Sequence, residues 1–196
     1  MEKRYIYLVA SYTDTFIGRL IRWRAKIRFW DRYEGDGYSH VSLAISPGLG
    51  EMMSFARKRI SNPFVAGLIK ESIKGGMFAK NSDRSYIAVM RIEVTEEEYQ
   101  KITQCMEQYW NRRTELHYNF AGLFWMMLFG RGKYVRNRYF CSQWCAEVLD
   151  NSGVEIFPGE ETYNIKPFDF YRTLKENIVY EGLAAAYKEQ YVAAVR

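Results

Sequence analysis

Tyr139-Phe-Cys-Ser-Gln-Trp-Cys-Ala-Glu-Val-Leu-Asp150 is the stretch around which the rest of the sequence is best interpreted. Its apolar and small residues recur at spacings of three and four, which predicts a helix with one apolar face. The helix is predicted to begin near Cys141 and to end at Gly153, because glycine is common just after a last helical turn. The residues of the apolar face are Cys141, Trp144, Cys145, Val148 and Leu149.

Cys141 has two interpretations. At a helix start, free backbone N–H groups and the positive end of the helix dipole stabilise a thiolate, which makes Cys141 a candidate nucleophile. The same N–H groups can stabilise an oxyanion. The alternative is an inert core thiol, since cysteine is among the most buried residue types and Cys141 shares its stripe with Cys145.

Composition narrows the class of protein. A chain of 196 residues suits a single domain, here residues 1–196, and its 17% aromatic content argues against disorder. Two of its three cysteines lie on one predicted helix, so there is no disulfide framework, and no CxxC pair suggests zinc. Reduced thiols point to a cytoplasmic protein.

Several other classes are disfavoured. Residues 5–10 form an apolar run too short for a signal peptide, and we interpret it as a first strand. The longest apolar stretch, residues 120–129, is shorter than the roughly 20 residues that span a bilayer. A formal charge of +5 permits anionic partners, but no nucleic-acid motif accompanies it. The sequence has neither metal-ligand spacing nor a nucleotide-binding loop, so we predict no cofactor.

Residues 15–30 are predicted to form a helix with an apolar seam and many basic residues around it. One interpretation is the solvated face of a helix packed on the core. The other is peripheral contact with an anionic membrane, because basic residues opposite Trp and Phe are typical of interfacial helices.

The remaining elements follow from alternation, caps and turns. Residues 38–45 and 51–56 alternate around a Pro-Gly turn and predict an antiparallel hairpin. Thr95-Glu-Glu-Glu98 is a capping box that opens a helix. Further predictions are a central strand at 85–94, irregular structure with short strands at 57–80, a buried helix at 120–129 ending at Gly130, a short helix at 167–172, a short strand at 178–180 and a terminal helix at 184–195.

The chain has only two histidines that could serve as a general base for Cys141. His40 opens the first hairpin strand, where a side chain can project from a rigid sheet into a cleft. His117 lies near a helix start, where a capping or surface role is expected. His40 is therefore the favoured candidate.

Four segments together resemble the permuted NlpC-type papain-like superfamily, which includes bacterial permuted amidases and lecithin retinol acyltransferase-like enzymes. In that superfamily the histidine strand precedes the cysteine helix in sequence, as it does here. The resemblance covers residues 5 to 180 and implies an α+β papain-like fold, circularly permuted, with an antiparallel sheet or half-barrel packed against helices. The segments are Tyr38–Ala44, Met52–Arg57, Tyr118–Leu123 and Tyr139–Leu149.

The resemblance implies that Cys141 is the nucleophile and His40 the base. It places the third catalytic group, which orients the imidazole, on the strand after the histidine. There Ser54 occupies the position, although the commoner patterns carry His or Glu. A serine can accept a hydrogen bond from an imidazole but has no charge to stabilise an imidazolium. Glu51, a backbone carbonyl and a water molecule are the alternatives.

These residues lead to three hypotheses. The first is a cysteine hydrolase that cleaves an amide or isopeptide bond in a peptide-like substrate through a thioester acyl-enzyme. The second is a lipid acyltransferase or phospholipase at a membrane surface, motivated by residues 15–30 and 120–129. The third is a catalytically silent module that uses the same cleft to hold a peptide or acyl chain, motivated by the missing charged third group.

Overall fold

A computed structural model describes residues 3–12, 38–59, 62–80 and 84–189 of the chain. These residues form an α+β fold. The eight strands are β1 (Arg4–Tyr12), β2 (His40–Ala44), β3 (Met52–Arg59), β4 (Asn62–Glu71), β5 (Tyr86–Val94), β6 (His117–Tyr118), β7 (Arg138–Tyr139) and β8 (Ile178–Leu183). The helices are α1 (Gly76–Lys80), α2 (Glu96–Asn111), α3 (Phe120–Phe129), α4 (Cys141–Asn151) and α5 (Pro167–Thr173).

Six strands form one antiparallel sheet in the order β4-β3-β2-β1-β5-β8. The sheet is open, with β4 and β8 at its edges. Strands β6 and β7 form a separate parallel pair. Strand β1 lies inside the sheet, and its alternate residues contribute to two different hydrophobic clusters. Burial on both faces explains its continuous apolar sequence.

Helix α4 packs against the larger of the two clusters. Trp144 is fully buried there, with the rings of Phe55 and Tyr109 at 6.3 and 6.0 Å from its own. Cys141 and Cys145 belong to the same cluster. The apolar face predicted for this helix is therefore the face that holds it on the sheet.

Several predictions from local sequence are confirmed. The first strand, the hairpin of β2 with β3 and the strand at β5 are all present. The capping box before α2 has both of its reciprocal hydrogen bonds, between Thr95 and Glu98. Gly130 ends α3 and Gly153 follows α4, and both have the positive φ that favours glycine at such positions.

Other predictions are wrong or lie outside the described residues. The segment predicted to be irregular contains the ten-residue strand β4, paired with β3 along most of its length. Pro63 does not disrupt this strand because β4 is at the sheet edge, where a missing backbone donor is tolerated. The predicted terminal helix is also wrong at its start, since only a 3-10 turn spans Ala184–Ala186. The rest of that helix beyond residue 189, and the whole helix predicted at 15–30, fall outside the described residues.

Helix α3 has the predicted position but not the predicted burial. Phe124, Trp125, Leu128 and Phe129 are all exposed. Across the described ranges, no helix has both the length and the apolar character needed to cross a membrane.

A pair of tryptophan substitutions tests this packing. Trp144→Ala is expected to lower the free energy of unfolding by about 3 to 5 kcal/mol, because it leaves a large cavity under α4. Trp125→Ala, on the exposed face of α3, should change it by about 0.5 kcal/mol or less. Urea denaturation monitored by circular dichroism measures both values. Equal effects of the two substitutions would contradict the packing described.

Candidate active site

Cys141 is the first residue of α4 and is 5% exposed. The residue before it, Phe140, is extended and provides no side-chain cap. The first backbone N–H groups of a helix have no partner within the helix. The sulfur therefore lies at a helix start whose first N–H groups are not capped by the side chain of Phe140.

His40 is the first residue of β2 and contacts both a carboxylate and the cysteine. Its Nε2 lies 3.0 Å from Oε2 of Glu71, and both side chains are about nine-tenths buried. The side chain of Cys141 lies close enough to the ring to help raise the pKa of His40. Glu71 and Ser42 both lie at Nε2, so we expect Nδ1 to be the nitrogen that faces the sulfur.

Glu71 is the last residue of β4, and three side chains converge on one of its oxygens. The hydroxyls of Ser42 and Ser54 each donate to Oε2 at 2.6 Å, and His40 contacts the same atom. The Ser42 hydroxyl also lies 3.2 Å from Nε2 of His40. A buried carboxylate with several hydrogen bonds is held in its ionised form and in one orientation.

The opposite charges of His40 and Glu71 stabilise each other. Burial alone would lower the pKa of His40, but the attraction of Glu71 and then of Cys141 outweighs it and holds that pKa well above its ordinary value. Burial would raise the pKa of Glu71, but attraction to His40 and the hydrogen bonds from His40, Ser42 and Ser54 keep it well below its ordinary range. The pair is therefore an imidazolium and a carboxylate at neutral pH.

The other two cysteines lie in settings that suppress ionisation. Burial raises the pKa of Cys145 well above its ordinary value, and the charges of Cys141 and Glu71 add to this effect. The Cys145 thiol points at the carbonyl oxygen of Val41, 3.8 Å away. Burial, then Glu147, raises the pKa of Cys105 to about 11.

The two candidate residues Cys141 and His40 lie near each other, and Ser54 does not contact the imidazole directly. Ser54 donates to Glu71, and it is Glu71 that contacts the imidazole. The alternative third group, Glu51, is a surface residue whose carboxylate binds Lys70 at 2.8 Å. His117 is exposed in β6 and takes no part in this group.

Glu71 was missed by the sequence interpretation because it lies in the segment predicted to be irregular. The sequence contained one weak indication of a buried carboxylate. Glu71 is the first carboxylate after the apolar run of residues 64–69, from which it is separated by Lys70 alone. Its role depends on strand pairing. Met52 of β3 pairs with Glu71, and Ser54 pairs with Ile69, so Ser54 and Glu71 are diagonal neighbours on one face.

Tyr118 lies near Cys141, as the effect of the sulfur on its pKa indicates. Burial and the nearby Cys141 sulfur raise its pKa. Tyr118 pairs with Tyr139 in the β6–β7 ladder, so the starts of α3 and α4 lie side by side. Among the described residues, no cluster of histidine, cysteine, aspartate or glutamate has the arrangement of a metal site.

Comparisons of the chain with protein-family models, with curated proteins and with solved structures find no match.

Replacing Glu71 by glutamine is expected to lower the pKa of His40, because a neutral amide no longer attracts the imidazolium. An NMR titration of the His40 Cε1 proton measures this directly. The matched control is Glu51→Gln, which removes a carboxylate bound to Lys70 and should leave the titration unchanged. If the Glu71 variant titrates like the wild type, the proposed coupling of Glu71 to His40 is absent.

The ion pair of Glu71 and His40 predicts how the stability of the protein changes with pH. The depressed pKa of Glu71 contributes stability above the ordinary value of 4.5, which is lost as the pH falls through the folded value. The raised pKa of His40 contributes stability below the ordinary value of 6.5, which is lost as the pH rises through the folded value.

Urea denaturation should therefore show the largest destabilisation by Glu71→Gln between pH 4.5 and 6.5, shrinking on both sides. We expect its size there to be on the order of 3 kcal/mol, as for other broken buried pairs. A difference between wild type and variant that is constant across pH would contradict the linkage.

Proposed function

We propose that this protein is a cysteine-dependent hydrolase that cleaves an amide or isopeptide bond through a thioester acyl-enzyme, within a permuted NlpC-type papain-like fold. One observation carries the proposal. Cys141, at a helix start without a side-chain cap from Phe140, lies close enough to the His40 imidazole to help raise its pKa, and Nε2 of that imidazole is held by the buried carboxylate of Glu71. Nucleophile, base and orienting group within hydrogen-bond reach of one another are the arrangement that covalent acyl transfer requires.

In the first half of the reaction, the Cys141 sulfur attacks the substrate carbonyl carbon, and the carbonyl oxygen becomes an oxyanion. The backbone N–H groups at the start of α4 are placed to donate to that oxygen. A cationic neighbour favours a thiolate, which is the role of the His40 imidazolium. His40 then gives its proton to the leaving nitrogen, the C–N bond breaks, and an amine departs from the thioester.

In the second half, neutral His40 takes a proton from water, and the resulting hydroxide attacks the thioester carbonyl. The C–S bond breaks, a carboxylic acid leaves, and the sulfur departs as a thiolate beside the protonated His40, which restores the starting thiolate–imidazolium pair. Glu71 does not exchange a proton in these steps. It fixes the ring orientation and stabilises the imidazolium, as the third member of a catalytic triad does.

The site supports a lipid enzyme and a silent binding module, the two alternative functions, to different degrees. A lipid acyltransferase or phospholipase would use the same acyl-enzyme, and the exposed aromatic helix α3 next to Tyr118 favours a lipid substrate. The silent binding module was motivated by the lack of a charged third group. Glu71 supplies that charge, which weakens the case for the silent module. The cytoplasmic location remains a prediction from cysteine usage.

Alkylation by iodoacetamide at neutral pH tests the nucleophile without a known substrate. Cys141 should react at least about tenfold faster than Cys145 or Cys105, because raised pKa values keep the other two as thiols. Peptide mapping by mass spectrometry gives the alkylation rate of each of the three cysteines. In urea-unfolded protein the three rates should become similar, which provides the reference. Preferential labelling of Cys105 or Cys145 would count directly against the proposal.

Hydrolysis of a library of fluorogenic acyl amides tests the catalytic roles. Cys141→Ala and His40→Ala should each lower kcat/KM by at least about 10³-fold, and Glu71→Gln by about 10²-fold with KM little changed. Ser54→Ala should have a smaller effect because its hydroxyl acts only through Glu71. Full activity in the Cys141→Ala protein would exclude the mechanism.

A further inference from the structure

Helix α3 exposes an unusual amount of apolar surface. Its ten residues, Phe-Ala-Gly-Leu-Phe-Trp-Met-Met-Leu-Phe, include no charged side chain, and the indole N–H of Trp125 is their only strong side-chain hydrogen-bond donor. Helices that are apolar all round are ordinarily buried in a core or in a membrane. Here Phe124 is 60% exposed, Trp125 42%, Leu128 45% and Phe129 54%.

These four side chains form one continuous face. At 100° per residue they occupy an arc of about 140° on the helix. The rings of Trp125 and Phe129 pack against each other with centroids 4.3 Å apart. A contiguous exposed apolar patch of this kind marks an interaction surface more often than a scattered set of apolar residues does.

A basic rim adjoins the apolar face. Four exposed cations follow the helix directly, and Leu116 to Ala146 contains no Asp or Glu. The Nζ of Lys133 lies 5.2 Å from the ring centroid of Trp125, so the basic rim is directly adjacent to the apolar face of α3. Within the described ranges, no carboxylate lies at salt-bridge distance from any of the four. The rim consists of Arg131, Lys133, Arg136 and Arg138.

The rim is fixed in position relative to the helix. The side chain of Asn119, which caps α3, donates to the carbonyl oxygen of Lys133 at 3.0 Å. The backbone N–H of Gly132 donates to Oδ1 of Asn164 at 2.9 Å. Gly132 lies so close to the backbone of Tyr163 that a Cβ atom would overlap the Tyr163 carbonyl. The surface is therefore pre-organised.

We propose that the apolar face of α3 and the basic rim form a docking surface for an anionic phospholipid bilayer. A ten-residue helix is too short to cross the bilayer, so it lies in the plane of the interface with its rings among the acyl chains. The rim contacts the anionic headgroups. A second copy of the chain fits less well, because a two-fold dimer through this face would bring both basic rims together.

Docking would place the candidate active site near the bilayer. Strand β7 leads from the basic rim directly into Cys141, and β6 leads from Tyr118 into α3. This surface does not depend on the proposed chemistry, since the Cys141→Ala protein should bind vesicles as the wild type does. Failure of docking and failure of catalysis are therefore distinguishable.

Co-sedimentation with phosphatidylcholine vesicles, with and without about 30% phosphatidylserine, tests the proposal on the full-length protein. The wild type should bind the anionic vesicles and release them as the salt concentration rises. Arg131→Gln with Lys133→Gln should weaken binding about ten- to thirtyfold, since each basic residue near the surface contributes about fivefold. Trp125→Ser with Phe129→Ser should weaken it at least about tenfold.

Two matched controls separate this surface from general effects. Tyr86→Ser with Leu183→Ser removes another exposed apolar pair, on neighbouring strands of the sheet edge. Lys101→Gln with Arg112→Gln removes two exposed cations from α2 and its C-cap. Both control proteins should bind like the wild type. A blue shift of tryptophan emission on binding should be lost in Trp125→Phe.

Three results would overturn the proposal. The first is absence of binding to anionic vesicles at low salt. The second is binding that the Trp125/Phe129 and Arg131/Lys133 variants leave unchanged, which would place the lipid contact elsewhere, as the charge pattern of residues 15–30 predicts. The third is a dimer, seen by light scattering, that the Trp125/Phe129 variant dissociates and that does not bind vesicles.

Discussion

The carboxylate of Glu71 is the interaction on which the candidate site depends. Two serine hydroxyls and an imidazole converge on one of its oxygens inside the protein. An ionised carboxylate in such a place is costly unless it is paired and hydrogen-bonded, and these three partners meet that requirement. In return, the charge holds His40 protonated and in one orientation, and His40 in turn faces Cys141. Glu71 and the Ser42 hydroxyl together fix the orientation of the ring that lies near the cysteine.

The sheet is what assembles these groups from distant parts of the sequence. Strands β2, β3 and β4 are adjacent, so His40, Ser42, Ser54 and Glu71 come from three neighbouring strands. Helix α4 is held on the sheet by Trp144 and its aromatic neighbours, and this packing sets the position of Cys141. The same helix therefore contributes to the core through its apolar face and carries the candidate nucleophile in its first turn. Substitutions under α4 should affect the site through position rather than through charge.

Local sequence predicted the parts of the fold that local rules determine. Caps and periodicity located α2, α4 and the β2–β3 hairpin, and the presence of only two histidines in the sequence limited the candidates for a general base. Glu71 could not be found this way, because its place follows from the pairing of β4 with β3, a non-local contact. The hydroxyl of Ser54, the candidate third group, donates to the carboxylate of Glu71, and it is Glu71 that contacts the ring. The prediction that α3 is buried was wrong, because the apolar composition of a helix does not reveal whether another element packs against it.

The most direct test of the account is the position of two atoms in an experimental structure of the protein at neutral pH. Sγ of Cys141 should lie about 3 to 4 Å from Nδ1 of His40, with Nε2 of the same ring bonded to Glu71. This arrangement is what a thiol–imidazole pair needs for proton transfer. A sulfur beyond contact with the ring, or an imidazole turned away from Glu71, would contradict the account and leave a folded scaffold without an assembled nucleophile.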